Sequence, residues 1–212
     1  MDYIENIYIC LAAPLIIAII CLRRTSSRRV SLFLLTGMTV CLLSSYISSF
    51  LSAVYHADST AAIAEIAPVV EEVMKLLPVL FYMVVLEPKK EDAAAGMLMT
   101  AVGFATFENV CYLTANGAER VVMLLARGFG TGAMHVVCGM LIAMGFMYLW
   151  DRLYLRLAGM VGLLAVAISC HAIYNMMVLQ GGSVARAGFA IPLAVMLIVL
   201  IPGRRIIRKM LG

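Results

Sequence analysis

Long apolar stretches alternate with short polar segments along the whole chain. Seven of these stretches approach the ~20 residues that an α-helix needs to cross a bilayer, so the pattern predicts seven transmembrane helices. They span residues 3–22, 30–55, 61–86, 93–114, 121–149, 158–179 and 188–203. The pattern therefore predicts an all-α fold, a polytopic membrane helix bundle.

The composition also favours a membrane protein over a soluble one. Of the 212 residues, 64% are hydrophobic and only 13% are charged, and the mean hydropathy is +1.01. A soluble domain of this size could not bury so much apolar surface. We therefore expect a single integral-membrane domain over residues 1–212. The six cysteines all fall in predicted spans and form no CxxC pair, which is typical of small apolar core residues.

The distribution of basic residues predicts the orientation in the membrane. Twelve of the sixteen Lys and Arg residues lie in connections on one predicted side or in the C-terminal tail: 23–29, 89–90, 152–156 and 204–209. The positive-inside rule then places the N-terminus outside and the C-terminus in the cytoplasm. The net charge of +4 predicts contact with anionic lipid and no nucleic-acid partner.

Ionisable side chains inside four predicted helices are the main indication of function. Such a group near the bilayer centre costs roughly 2.5–3.5 kcal/mol on insertion scales, so these residues usually face a protein interior and mark a site. The polar residues concerned are Glu71, Glu72, Lys75, Glu108, Asn109, Arg127, His135, His171 and Asn175. We expect them to converge on one polar site in a four-helix core within residues 61–180, open to the external half of the bilayer.

Helical spacing indicates which of these groups can act together. Glu71 and Lys75 are four residues apart and share a face, which predicts an ion pair between them. His171 and Asn175 also share a face. They could stabilise a developing oxyanion together, or Asn175 could simply form an interhelical hydrogen bond.

Small residues predict where helices approach each other closely. Gly103 lies in the fourth predicted helix, near Ala105. Gly128 and Gly132 form a small-xxx-small face on the fifth. Both arrangements favour tight packing between membrane helices.

Four motifs, in this order, resemble those of the PrsW family of intramembrane proteases. They are Glu71-Glu72-x-x-Lys75, Gly103-Phe104-Ala105-x-x-Glu108-Asn109, the segment from Arg127 to His135, and His171-x-x-x-Asn175. The resemblance covers about residues 65–180. The family is in turn distantly similar to the type II CAAX prenyl endopeptidases, which share a paired-glutamate, His and His-x-x-x-Asn plan.

The resemblance implies an intramembrane endopeptidase of a bacterial plasma membrane. Its expected substrate is a single-span, membrane-anchored protein such as an anti-sigma factor, cut in regulated proteolysis. The implied mechanism is of the glutamic type, in which a glutamate activates water.

The resemblance also implies roles for individual residues. One of Glu71 and Glu72 would be the general base, and His135 would help to bind the water. His171 and Asn175 would polarise the scissile carbonyl. Glu108 would orient a neighbour or transfer protons, while the supporting residues hold the carboxylates in place: Lys75, Asn109 and Arg127.

Three other interpretations remain open at this point. Glu72, His135 and His171 could bind Zn²⁺ in a metalloprotease, although no HExxH motif is present and Lys75 would oppose a cation; the metal-free mechanism, without a cofactor, is favoured. A small proton-coupled transporter is a second alternative, although the short chain shows no internal repeat. A non-catalytic membrane scaffold is a third.

Overall fold

The computed structural model describes residues 3–22, 24–117 and 121–211, and helix is the only regular secondary structure in these ranges. Seven long helices follow one another along the chain: α1 (Ile4–Cys21), α2 (Thr25–Val54), α3 (Ala67–Val85), α4 (Lys90–Asn116), α5 (Val121–Tyr148), α6 (Leu153–Gln180) and α7 (Gly182–Leu211). The predicted all-α fold is confirmed.

Six of these helices are long and apolar enough to cross a membrane: α1, α2, α4, α5, α6 and the part of α7 that spans Gly182–Val199. A polytopic membrane protein is thereby confirmed. Among the described helices, α3 falls outside this set because its 19 residues include Glu71, Glu72 and Lys75. That α3 also crosses the bilayer, and that the N-terminus lies outside, stay predictions.

Several helices begin earlier than the hydrophobic pattern predicts. They begin at Thr25, Lys90, Leu153 and Gly182, whereas the pattern predicts 30, 93, 158 and 188. Backbone hydrogen bonds within a helix continue through polar residues as readily as through apolar ones. Hydropathy therefore marks the apolar part of each helix and not its ends.

An irregular turn leads into α3. Asp58 Oδ1 accepts a hydrogen bond of 2.8 Å from the Ala61 amide, and the chain then forms a π-helical segment over Ala62–Ile66. Pro68 follows in the first turn of α3 and has no backbone N–H to donate to a carbonyl of the preceding π-helical segment. Asn175 Nδ2 donates to the Ile63 carbonyl at 2.9 Å, so α6 holds this segment in place.

The centre of the bundle is formed by α4 and α5. The helix α4 packs between α2 and α5, and α5 also packs against α6 and α7. The helix α3 contacts α2, α4 and α6, which places its polar residues next to those of the other helices. By contrast, α1 packs mainly on α2 and lies away from them.

Glycines allow α2 and α4 to approach closely. A Cβ at Gly103 would lie 2.0 Å from the Leu34 carbonyl oxygen, and a Cβ at Gly37 would lie 2.1 Å from that of Thr100. Both distances are far below van der Waals contact, so only glycine fits at these positions. The predicted close packing at Gly103 is confirmed.

The prediction for Gly128 and Gly132 is wrong. A Cβ at either position would meet no atom of the described residues within 4 Å, so none of the described helices packs against these two positions. Gly130 instead faces the next helix, since its Cβ would lie 2.8 Å from the Phe189 Cα of α7. Gly128 and Gly132 do share a face of α5, because they are four residues apart. The helix α7 packs on a different face, the one that carries Gly130.

We expect Gly103→Ala to lower the thermal stability of the purified protein in detergent. The added Cβ forces α2 and α4 apart, and overpacking of this kind costs typically about 1–3 kcal/mol. Gly132→Ala is the matched control, because the space beside it is open and alanine favours a helix by about 1 kcal/mol. Equal midpoints of thermal unfolding for the two variants would contradict the close approach.

Candidate active site

Two fully buried charges lie at the centre of the polar cluster. Glu72 Oε1 accepts a hydrogen bond from Lys75 Nζ at 2.6 Å, and both side chains have zero exposure. The predicted ion pair between Glu71 and Lys75 is therefore wrong. Positions three and four residues apart both share a helix face, and the groups on α5 and α6 favour Glu72 as the partner.

Two histidines extend this pair to the neighbouring helices. His171 Nδ1 lies 2.7 Å from Glu72 Oε1, and His135 Nδ1 lies 2.9 Å from Lys75 Nζ. The two imidazole rings contact each other edge to face, with centroids 5.1 Å apart. Because a carboxylate accepts and an ammonium donates, His171 carries its proton on Nδ1 and His135 accepts at Nδ1. In the neutral form of His171, Nε2 then carries no proton and presents a lone pair.

Glu108 is held from two sides. Its Oε2 lies 2.5 Å from His135 Nε2, and its Oε1 lies 3.5 Å from Arg127 Nη2. The guanidinium of Arg127 is itself fixed, because Nη1 donates to Asn109 Oδ1 at 2.8 Å and Cζ lies 3.5 Å from the ring centroid of Tyr112. Arg127 thus positions the Glu108 carboxylate.

One carboxylate oxygen of Glu71 has no hydrogen-bond partner among the described residues. This atom, Oε2, is buried and lies 3.7 Å from His171 Nε2. A buried carboxylate oxygen without a partner is costly unless water or an ion satisfies it. Glu72 Oε2 is also buried without a partner among the described residues, but the Glu72 side chain has no exposure, whereas that of Glu71 is 18% exposed. Glu71 is therefore the more accessible of the two carboxylates for binding a further group.

Asn175 lies at the edge of the cluster. Its amide donates to the Ile63 carbonyl, which is the interhelical hydrogen bond that the sequence left open as an alternative. A role for Asn175 in polarising a substrate carbonyl stays a prediction.

A cavity of about 1180 Å³ adjoins the cluster. The polar residues predicted for the site that line it are Glu71, Glu108, Arg127, His171 and Asn175, while Glu72, Lys75 and His135 are fully buried. It lies where α3, α5 and α7 begin and α4 and α6 end, opposite the basic connections. Sequence reasoning missed the contribution of α7, through Arg186 and Phe189, because no motif marks that helix.

Three side chains could together hold a metal ion. Ligand atoms of Glu71, His135 and His171 all lie within 4.8 Å of one another. For a zinc site the sequence predicted Glu72 with the two histidines, but Oε1 of Glu72 is engaged by Lys75 and His171, and Glu71 is the carboxylate that lies with both histidines. A carboxylate and two imidazoles are ordinary ligands for Zn²⁺, so the donor set fits. Both nitrogens of His135 already have partners, so a metal would displace one of them.

A sequence model described as PrsW family intramembrane metalloprotease matches residues 26–201. The match covers α2 to α6, most of α7, and every residue of the polar cluster. No curated protein and no solved structure matches the chain.

We expect Lys75→Met to destabilise the protein strongly. It leaves the Glu72 carboxylate buried without its cation, and breaking a buried ion pair in this way costs about 3–5 kcal/mol. The double variant Glu72→Gln/Lys75→Met should recover part of the loss, since both charges are then removed.

Thermal unfolding in detergent is the measurement, with Lys89→Met, in an exposed connection, as the control for replacing lysine by methionine. A Lys75→Met variant as stable as Lys89→Met would show that the ion pair does not hold the cluster together.

Proposed function

Since the chain belongs to the PrsW family of intramembrane metalloproteases, we propose that it hydrolyses a peptide bond of a membrane-anchored protein. The reaction would take place inside the cavity that the helices α3, α4, α5, α6 and α7 line. One observation carries this proposal. Glu71, Glu108 and His171, the groups that can bind or activate water, line one cavity among membrane helices.

The cavity suits a peptide. Small-molecule pockets measure about 300–1,000 Å³, and this one, at about 1180 Å³, has room for a few residues of unwound chain. A transmembrane segment must unwind before it is cut, because a helix encloses its own backbone. These features suit an unwound segment of a membrane-anchored substrate, and a single-span, anti-sigma-like protein is the substrate that the family resemblance implies. The cavity lies opposite the basic connections, so the positive-inside rule places cleavage in the external half of the bilayer.

The metal-dependent form of the reaction is the one that we favour. Glu71, His135 and His171 would hold the ion, and the buried Glu71 oxygen without a partner supports this. A bound Zn²⁺ supplies Lewis-acid polarisation to a hydrolase. Glu72 accepts the Nδ1 proton of His171 and so directs Nε2 toward Glu71, as carboxylates commonly do behind histidine ligands.

The remaining carboxylate then has the role of proton carrier. Glu108 lines the cavity, its side chain is 28% exposed, and Arg127 fixes its orientation. It can take a proton from water and pass it to the leaving amine.

A metal-free glutamate mechanism is the second candidate. The observation that favours it is Lys75 Nζ, 2.9 Å from His135 Nδ1, because an ammonium opposes a cation nearby. In this form Glu71 is the general base, since Glu72 is enclosed and paired with Lys75 while Glu71 faces the cavity. A proton-coupled transporter or a scaffold does not cleave peptides, so neither alternative requires these groups to activate water.

We expect Glu71→Gln and His135→Ala to lower cleavage of a co-expressed single-span substrate by about 10²–10⁴-fold, because each loses a group that binds or activates water. Glu72→Gln should cost less, about 10–100-fold, as is typical of residues behind the ligands. Immunoblots of substrate and product measure the loss.

The matched control is Glu65→Gln, which should cleave normally. Glu65 is an exposed glutamate in the π-helical segment before α3. Unchanged cleavage in both Glu71→Gln and His135→Ala would refute the protease proposal. Failure of these variants to accumulate would instead favour the scaffold.

The two mechanisms differ in their need for zinc. We expect about one zinc per chain in protein purified without chelators, and loss of both zinc and activity after chelation, with recovery when Zn²⁺ is restored. Glu71→Gln should purify with less zinc and Glu65→Gln with the normal amount, measured by elemental analysis. Full activity at zero zinc would rule out the metal-dependent form and favour Glu71 as general base.

A further inference from the structure

Two hydroxyl groups inside the same cavity are not used by the mechanism above. Tyr174 Oη and Thr131 Oγ1 lie 2.6 Å apart, on α6 and α5. The residues are 5% and 3% exposed, yet both line the cavity with Glu71 and His171. They are polar groups at the boundary between the core and the cavity.

Helical spacing places this pair beside the histidines. Thr131 precedes His135 by four residues, and Tyr174 follows His171 by three. The helices α5 and α6 run in opposite directions through the bundle, so both steps lead toward the same end. Along the helix axes, the hydroxyl pair therefore lies about one turn, roughly 5 Å, from the two histidines, toward the end of the bundle where α5 begins and α6 ends.

The chemistry of the pair leaves one proton for a substrate. Each hydroxyl has one proton and can accept hydrogen bonds. Either hydroxyl can be the donor in this pair. The phenol is the stronger donor of the two, so when a substrate oxygen accepts the Tyr174 proton, Thr131 can turn its own proton to Tyr174 Oη. The ring of Tyr174 is fixed against Phe189, with centroids 6.2 Å apart, so the hydroxyl has little freedom to move.

Peptide hydrolysis requires a donor for the carbonyl oxygen of the scissile bond. The amide of Asn175 is directed to the Ile63 carbonyl, and Arg127 is engaged by Glu108 and Asn109. We propose that Tyr174 is a further catalytic residue, whose hydroxyl donates a hydrogen bond to the scissile carbonyl oxygen, and that Thr131 is the positioning residue that orients it. This inference rests on the proposed function.

The step is balanced without any additional reactant. The oxygen of water forms a bond to the carbonyl carbon, and the carbonyl electron pair moves onto the oxygen that Tyr174 stabilises. The C–N bond then breaks, and the leaving amine takes the proton that the base removed from water. Tyr174 keeps its own proton throughout.

The test is cleavage of a single-span peptide by the full chain in proteoliposomes. We expect Tyr174→Phe to lower kcat by about 10²–10³-fold, the usual loss for one oxyanion donor, with KM within about threefold of the wild-type value. Thr131→Val should lower kcat by about tenfold and Thr131→Ser should restore it. The control is Tyr148→Phe, at the far end of α5, where the side chain is 63% exposed.

A purely structural role predicts a different result. An interhelical hydrogen bond in a membrane protein contributes modestly to stability, so its loss would lower thermal stability and leave the kcat of the folded protein unchanged. A second measurement is the affinity of a phosphinic peptide, which imitates the tetrahedral intermediate. Tyr174→Phe should weaken its binding by about the same factor as kcat, with binding of an uncleavable substrate peptide unchanged.

The outcomes separate the inference from the proposed function. If the wild-type protein cleaves and Tyr174→Phe retains its kcat and its affinity for the phosphinic peptide, the inference is overturned and the protease stands. If the wild-type protein cleaves no membrane-anchored substrate while Glu71→Gln behaves identically, the proposed function fails and the inference fails with it.

Discussion

The ion pair between Glu72 and Lys75 is the interaction on which the rest of the site depends. Both groups have zero exposure, and the free energy of burying either charge alone is prohibitive in an apolar surrounding. The pair is stable only where His171 and His135 supply the remaining hydrogen bonds. This requirement fixes the position of α3 against α5 and α6.

The consequence is a division of the site into an enclosed part and an accessible part. The enclosed pair, Glu72 and Lys75, contacts the two imidazoles and does not line the cavity described above, whereas the accessible carboxylates, Glu71 and Glu108, do. Rigid support behind a reactive group is what pre-organised catalysis requires. A glutamate doublet in sequence thus separates into one enclosed residue, Glu72, and one cavity-lining residue, Glu71.

Charge balance bears on the choice between the two mechanisms. Glu72 is neutralised by Lys75, and Glu108 by Arg127, so with neutral histidines an ionised Glu71 would contribute the remaining negative charge. A cation next to Glu71 would be compensated, despite the ammonium of Lys75 nearby. The same arrangement would also serve a general base, which is why metal analysis rather than geometry decides between them.

The sequence by itself determined the all-α fold, the approximate helices and the candidate polar residues, because hydropathy and helical spacing are local properties of the chain. Tertiary structure decided which partner each of these residues has. Lys75 could reach either neighbouring glutamate, and only α5 and α6 favour Glu72. In the same way, the position of α7 directs packing to Gly130 rather than Gly128, and the meeting of α5 and α6 brings Tyr174 to Thr131. Spacing defines the face of a helix, but contacts depend on what the fold places opposite that face.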